Sequence, residues 1–158
     1  MKLWGGRFEK GPSELFERFS GSLHFDRRLI HADIRGSQAW ARALERVGIL
    51  TAEERATLVS AFDRIEAASR EADFYDGATD EDVHTLVIRK LHEEAGTAAD
   101  KIHTGRSRNE QVSVDTRLWL REEIDAVSGL IAALLDALLD LAARYPDAVI
   151  PGYTHLRR

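Results

Sequence analysis

From Leu120 to Tyr145 the chain carries one pattern without interruption. Apolar residues stand at Leu120, Ile124, Val127, Ile131, Leu134, Leu138, Leu141 and Tyr145, in steps that alternate four and three. Only a helix brings such positions onto one face, and the alternation is that of a heptad repeat. Leu130, Leu135 and Leu139 widen the stripe beyond the seam of a two-stranded coil, so the pattern predicts burial in a larger bundle. Ser107 followed by Glu110 is a capping signature ahead of it, and Pro146 ends it. One helix from Ser107 to about Tyr145 would be about 58 Å long at 1.5 Å per residue. A compact domain of 158 residues has a diameter of about 40 Å. The helix is therefore expected to find partners outside this chain, or in sequence not present here.

The rest of the sequence is punctuated for shorter helices. Pro12 and Ser13 open a stretch with Leu15, Phe16 and Phe19 on one face, stopping near Gly21. Asp26 is expected to cap a run with Ile30, Ile34, Ala41, Leu44 and Val47, which Gly48 closes. Thr51 and Glu54 form a capping box before Leu58, Phe62 and Ile65. Asp73 to Thr79 reads as a loop. Thr79 with Asp82 is a second capping signature ahead of Val83, Val87 and Leu91, and Gly96 ends that helix. After Pro146, residues Val149 to His155 read as a connection with a Pro151-Gly152 turn, and Thr154 as the cap of a further helix. The fold class expected is all-α. A small helical domain would span 1–106, and 107–158 would begin a central bundle cut short by the chain end.

Composition narrows the function. With 22 Lys+Arg against 27 Asp+Glu the net charge is −5, which does not suit general nucleic-acid binding, and 44% hydrophobic with 31% charged residues suits a globular chain and not a disordered one. The chain has no cysteine, which excludes a disulfide scaffold, thiolate metal ligands and a Cys nucleophile. No apolar signal core follows Met1, and Asp136 and Asp140 interrupt the most apolar stretch, so a cytoplasmic, non-membrane protein is expected.

Chemistry concentrates in Lys101-Ile-His-Thr-Gly-Arg-Ser-Arg-Asn-Glu-Gln111. Free backbone N–H groups at a helix start favour an anion, and Arg106, Arg108 and Asn109 add donors. A dicarboxylate and a phosphate would suit it equally. The plainer reading is a Ser107 cap with arginines that are solvated or paired with Glu110. Thr154-His155 is a second candidate, because a helix start disfavours imidazolium and leaves a neutral His able to act as a base; a surface His beside a terminus is the alternative. His84, in the first turn of its helix, either touches a ligand or is a hydrogen-bonded neighbour of the cap. No metal site is expected: His84 and His92 are two turns apart, and the acidic loop from Asp73 to Asp82 lacks the alternation of a calcium loop.

Five segments together resemble argininosuccinate lyase, of the fumarase/aspartase superfamily. They are Leu3-Trp-Gly-Gly-Arg-Phe8, Phe19-Ser-Gly-Ser22 with Asp26, Asp80-Glu-Asp-Val-His-Thr85, His103-Thr-Gly-Arg-Ser-Arg-Asn109 and Pro151-Gly-Tyr-Thr-His-Leu156. The resemblance implies a helical homotetramer built on long central helices, which would supply the partners of the overlong helix. It also implies arginine biosynthesis: β-elimination of argininosuccinate to arginine and fumarate, with no cofactor and no metal. Carried onto this sequence, Ser22 and Asp26 would contact the arginine-like end of the substrate. Ser107, Arg108 and Asn109 would hold the succinyl carboxylates, and Thr154 a carboxylate. His155 would be the acid/base histidine, orienting and polarising the true base, and His84 a further active-site histidine.

The sequence departs from the family at Glu110, where Asp is common, and at Arg157, where Gln is common. Leu86, Val87 and Ile88 also stand where polar residues are usual. The family's mobile loop, Gly-Ser-Ser-x-Met-Pro-x-Lys-x-Asn-Pro, bears the catalytic serine and is not in this sequence, so the resemblance covers the N-terminal third of a lyase and the chain alone is expected to be inactive. Three other readings compete: a different superfamily lyase such as adenylosuccinate lyase or fumarase, a non-catalytic structural protein of the lens-crystallin kind, and a helical module that binds a dicarboxylate.

Overall fold

The computed structural model describes residues 13–149, 151–155 and 157. The Leu3–Phe8 motif and Leu156 lie outside them. The described residues form six α-helices: α1 Glu14–Ser20, α2 Leu23–Asp26, α3 Ile30–Arg46, α4 Ala52–Ala68, α5 Val83–Ala95 and α6 Arg108–Arg144. Short 3-10 turns precede α3 and follow α5. The all-α class expected from the sequence is the class observed. The one extended pairing among the described residues is an isolated bridge between Thr154 and Arg157.

Local chemistry explains most boundaries. The Ser13 hydroxyl accepts from the Phe16 N–H at 3.3 Å and starts α1. The Thr51–Glu54 capping box is present in both directions, at 2.9 and 3.1 Å. Gly48 closes α3 with φ +77°, and the Gly48 and Ile49 N–H groups donate to the Glu45 and Leu44 carbonyls. That pair of bonds is a Schellman motif, which the left-handed glycine allows. Gly96, at φ +57°, ends α5 as expected.

Three expected caps are corrected. Asp26 does not cap the helix after it: it ends α2, Leu29 precedes α3, and the Asp26 carboxylate turns instead to Val83 on α5. Thr79 does not cap α5. Asp82 does, its carboxylate accepting from the Thr85 N–H at 2.7 Å. Thr154 caps no helix among the described residues; its carbonyl accepts from the Arg157 N–H at 2.9 Å in a turn that holds His155 at φ +51°.

Contacts divide the chain within α6, into Met1–Trp119 and Leu120–Arg158. In the first unit α3, α4 and α5 pack on one another around Phe62, Leu58, Ile34, Val87 and Leu91. Leu86, Val87 and Ile88 are all buried here, so an apolar run at the start of α5 is core-forming. Val47, the last residue of the expected apolar run, is exposed just after α3. The second unit carries the heptad stripe on a helix whose 37 residues span about 55 Å. The stripe faces outward: Ile131, Leu134 and Leu138 are each more than half exposed in the single chain. By length and composition alone α6 is long and apolar enough to cross a membrane, so the sequence argument from Asp136 and Asp140 is not by itself exclusive. Each carboxylate near the middle of a span costs about 2.5–3.5 kcal/mol, which weighs against that placement.

Candidate functional site

The start of α5 gathers polar groups from four parts of the first unit. Ser22 opens α2, and its N–H donates to the Glu81 carbonyl at 2.7 Å, tying α2 to the approach to α5. Its hydroxyl donates to Asp26 Oδ2 at 2.5 Å. Asp26 Oδ1 accepts from the Val83 N–H at 3.1 Å, so Asp26 satisfies one of the free amides at the α5 start from a distant part of the chain. Burial, with Asp82 nearby, raises the Asp26 carboxyl above the usual carboxylate range despite the Ser22 and Val83 hydrogen bonds.

Asp80 accepts from Arg89 Nη2 at 2.7 Å. Asp82 caps α5 and accepts from the Thr85 hydroxyl at 2.7 Å. It also receives Arg108 Nη1, at 3.1 and 3.2 Å to its two oxygens, while Arg108 Nη2 donates to Thr85 Oγ1 at 3.4 Å. Arg108 is the first residue of α6, so this bond brings the starts of α5 and α6 together. Ser107 and Asn109 flank it and are exposed. Two helix N-termini and a half-buried guanidinium make a region suited to an anion, although Asp82 already neutralises part of that charge.

His84 is a hydrogen-bonded neighbour of the Asp82 cap, and it is buried. It is 2% exposed, and its Nδ1 stands 3.0 Å from Asp33 Oδ1 and 3.5 Å from Asp115 Oδ2. Gln111 donates its amide to the same Asp33 oxygen. Arg106 donates to Ser37 Oγ at 2.9 Å, and its charge acts on both carboxylates. Burial alone would depress the His84 pKa, but the Asp33 hydrogen bond and charge outweigh it and raise the pKa above 6.5. Asp33 is likewise pulled below its ordinary value, against burial, chiefly by His84. Burial, and then the charge of Asp33, push Asp115 up to about 7.

Sequence spacing pointed to no metal cluster, yet the fold assembles one group of suitable geometry among the described residues. Donor atoms of Asp33, His84 and Asp115 lie within 4.8 Å of one another. Charges within the group balance in part: the two carboxylates lie in the field of Arg106 and favour the protonated form of His84.

Of the eight site residues expected from the sequence, the fold brings Ser22, Asp26, His84 and Arg108 to the start of α5, with Ser107 and Asn109 at the adjoining end of α6. Thr154 and His155 belong to the second unit, both exposed. Sequence reasoning missed Asp82 as the partner of Arg108, and it missed Asp33, Gln111 and Asp115. A signal for Asp33 existed: with Ser37 it occupies the stripe of Ile30, Ala41 and Leu44, where a polar residue is buried by the period itself.

A wholly helical fold with convergent helix starts, a buried His–carboxylate pair and a long apolar helix narrows the class, and comparison defines it. A family model described as lyase matches residues 6–158, and the chain belongs to that family. It is 72% identical, over its whole length, to the argininosuccinate lyase of Solibacter usitatus (strain Ellin6076). It is 49% identical over 99% of its length to the argininosuccinate lyase of Roseiflexus sp. (strain RS-1), and 43% identical over its whole length to that of Alteromonas mediterranea. The chain spans about a third of the length of these relatives, between 34% and 35%.

Proposed function

We propose that this chain is the N-terminal part of an argininosuccinate lyase, a C–N lyase that converts argininosuccinate to arginine and fumarate in arginine biosynthesis. The observation that carries this reading is the 72% identity to a relative of that name, unbroken over all 158 residues. The site supports it chemically. The reaction removes a proton from the carbon beside one succinyl carboxylate. The electron pair forms the fumarate double bond, and the C–N bond to the guanidinium group breaks, with a proton delivered to the departing nitrogen. Charge grows on the carboxylate next to the carbanion, and fixed donors stabilise it.

In this reading Ser107, Arg108 and Asn109 hold the succinyl carboxylates at the α6 start, and Thr154 a further carboxylate. Ser22 and Asp26 face the guanidinium end, where a carboxylate supplies the opposite charge. His155 orients and polarises the base, and His84 is a further active-site histidine. The α6 stripe packs with copies of itself into a homotetramer. The test is a chimera in which this chain replaces the matching segment of the Solibacter relative. Fumarate release followed by absorbance is expected with argininosuccinate; release from adenylosuccinate instead would reject the substrate assignment.

A further inference from the structure

Asp115 is the group in the buried cluster that folding alone explains least. It is fully buried on α6, and neither of its carboxylate oxygens has a hydrogen-bond partner. A buried carboxylate without a hydrogen bond is destabilising, and replacing it by a neutral side chain of the same shape would relieve that penalty. The fold nevertheless makes room for it. Gly36 lies in the interior of α3, where glycine is about 1 kcal/mol worse than alanine. A Cβ at that position would stand 3.2 Å from Asp115 Oδ1, tighter than an ordinary contact. What the carboxylate faces is the Nδ1 edge of His84, 3.5 Å from Oδ2, with Asp33 3.0 Å from the same nitrogen. The ring is thus held along one edge from two helices, α3 and α6. Ring rotation would turn a C–H edge toward two carboxylates.

We propose that Asp115 is a positioning residue: with Asp33 it clamps the Nδ1 edge of His84, fixing the ring, and with it Nε2, in the first turn of α5. This rests on the reading of that region as the substrate site and extends it to a residue that touches no substrate. Its elevated carboxyl pKa, about 7, agrees with a group kept for its orientation of a neighbour and not for its own stability.

The experiment uses Asp115→Asn in the chimera with the Solibacter relative. The expected result is a melting temperature equal to or above that of the parent chimera. With it, kcat should be about 10- to 100-fold lower and KM within about twofold, as misplacement of a reacting group produces. A kcat within about twofold of the parent overturns the proposal. So does a melting temperature that falls together with activity, which would assign Asp115 to the scaffold, and so does a change confined to KM. A second measurement does not need the variant to fold. In the ring 15N spectrum of His84 in this chain, Nδ1 is expected to carry a proton; a ring protonated at Nε2 alone overturns the clamp. A parent chimera inactive on argininosuccinate defeats the substrate reading, and the 15N measurement then decides the clamp separately.

Discussion

His84, Asp33 and Asp115 share one buried space, and their proton affinities move apart for that reason. His84 is raised above 6.5 and Asp115 to about 7, so both bind protons more tightly in the folded chain than in the unfolded one. A raised group contributes stability that is complete below its unfolded pKa and lost as pH rises through its folded value. For Asp115 that window runs from 3.8 to about 7, and for His84 from 6.5 upward. Asp33, lowered from 3.8, acts oppositely: its contribution is present above 3.8 and disappears as pH falls through its folded value. Urea unfolding of this chain should therefore show the Asp115 contribution falling between pH 4 and 7, and Asp115→Asn should flatten that slope. An unchanged slope would mean that Asp115 ionises normally. Arg108→Ala should weaken both the α5–α6 junction and carboxylate binding; in the chimera a rise in KM of about tenfold or more is expected, since hydrogen bonds to charged groups contribute about 1.5–3 kcal/mol. The place of Ser107 and Arg108 at a helix start was legible in the sequence because capping signals are local. Asp82 was visible only as a cap, since its pairing with Arg108 spans 26 residues of chain.

Elements were most legible where their ends are closed by neighbours. Thr51 with Glu54, and Gly48 after α3, follow from three or four consecutive residues. Thr51→Ala should lower unfolding free energy by about 1 kcal/mol. Gly48→Ala, at φ +77°, should lower it by about 1–2 kcal/mol because the added Cβ is strained in the left-handed region. Both are measured by denaturant titration, and a loss near zero at position 48 would indicate that the Schellman turn opens. The α5 start was misread for the complementary reason. Thr79 and Asp82 are equally good caps in isolation, and the choice fell to Asp82, with Asp26 capping Val83 from the α2 end. That second contact joins residues 57 apart, beyond the reach of any local pattern.

At the scale of the whole molecule, the heptad stripe of α6 dominates. Leu130 is 71% and Leu139 67% exposed in the single chain. An exposed apolar run of that length is the mark of an interaction surface. Leu134→Arg should reduce the assembled mass measured by light scattering and leave the α3–α5 core unaffected, because position 134 lies in the second unit. An unchanged mass would show that the stripe is not the assembly surface. The sequence by itself determined the helices, the long stripe and the cluster of anion-binding residue types, because periodicity and capping are properties of adjacent residues. Only the tertiary structure decided that Asp26 serves α5, that Arg108 meets Asp82, and that Asp33 and Asp115 enclose His84. Those are contacts between residues remote in the chain, set by how α3, α5 and α6 pack, and no local pattern encodes the distance between them.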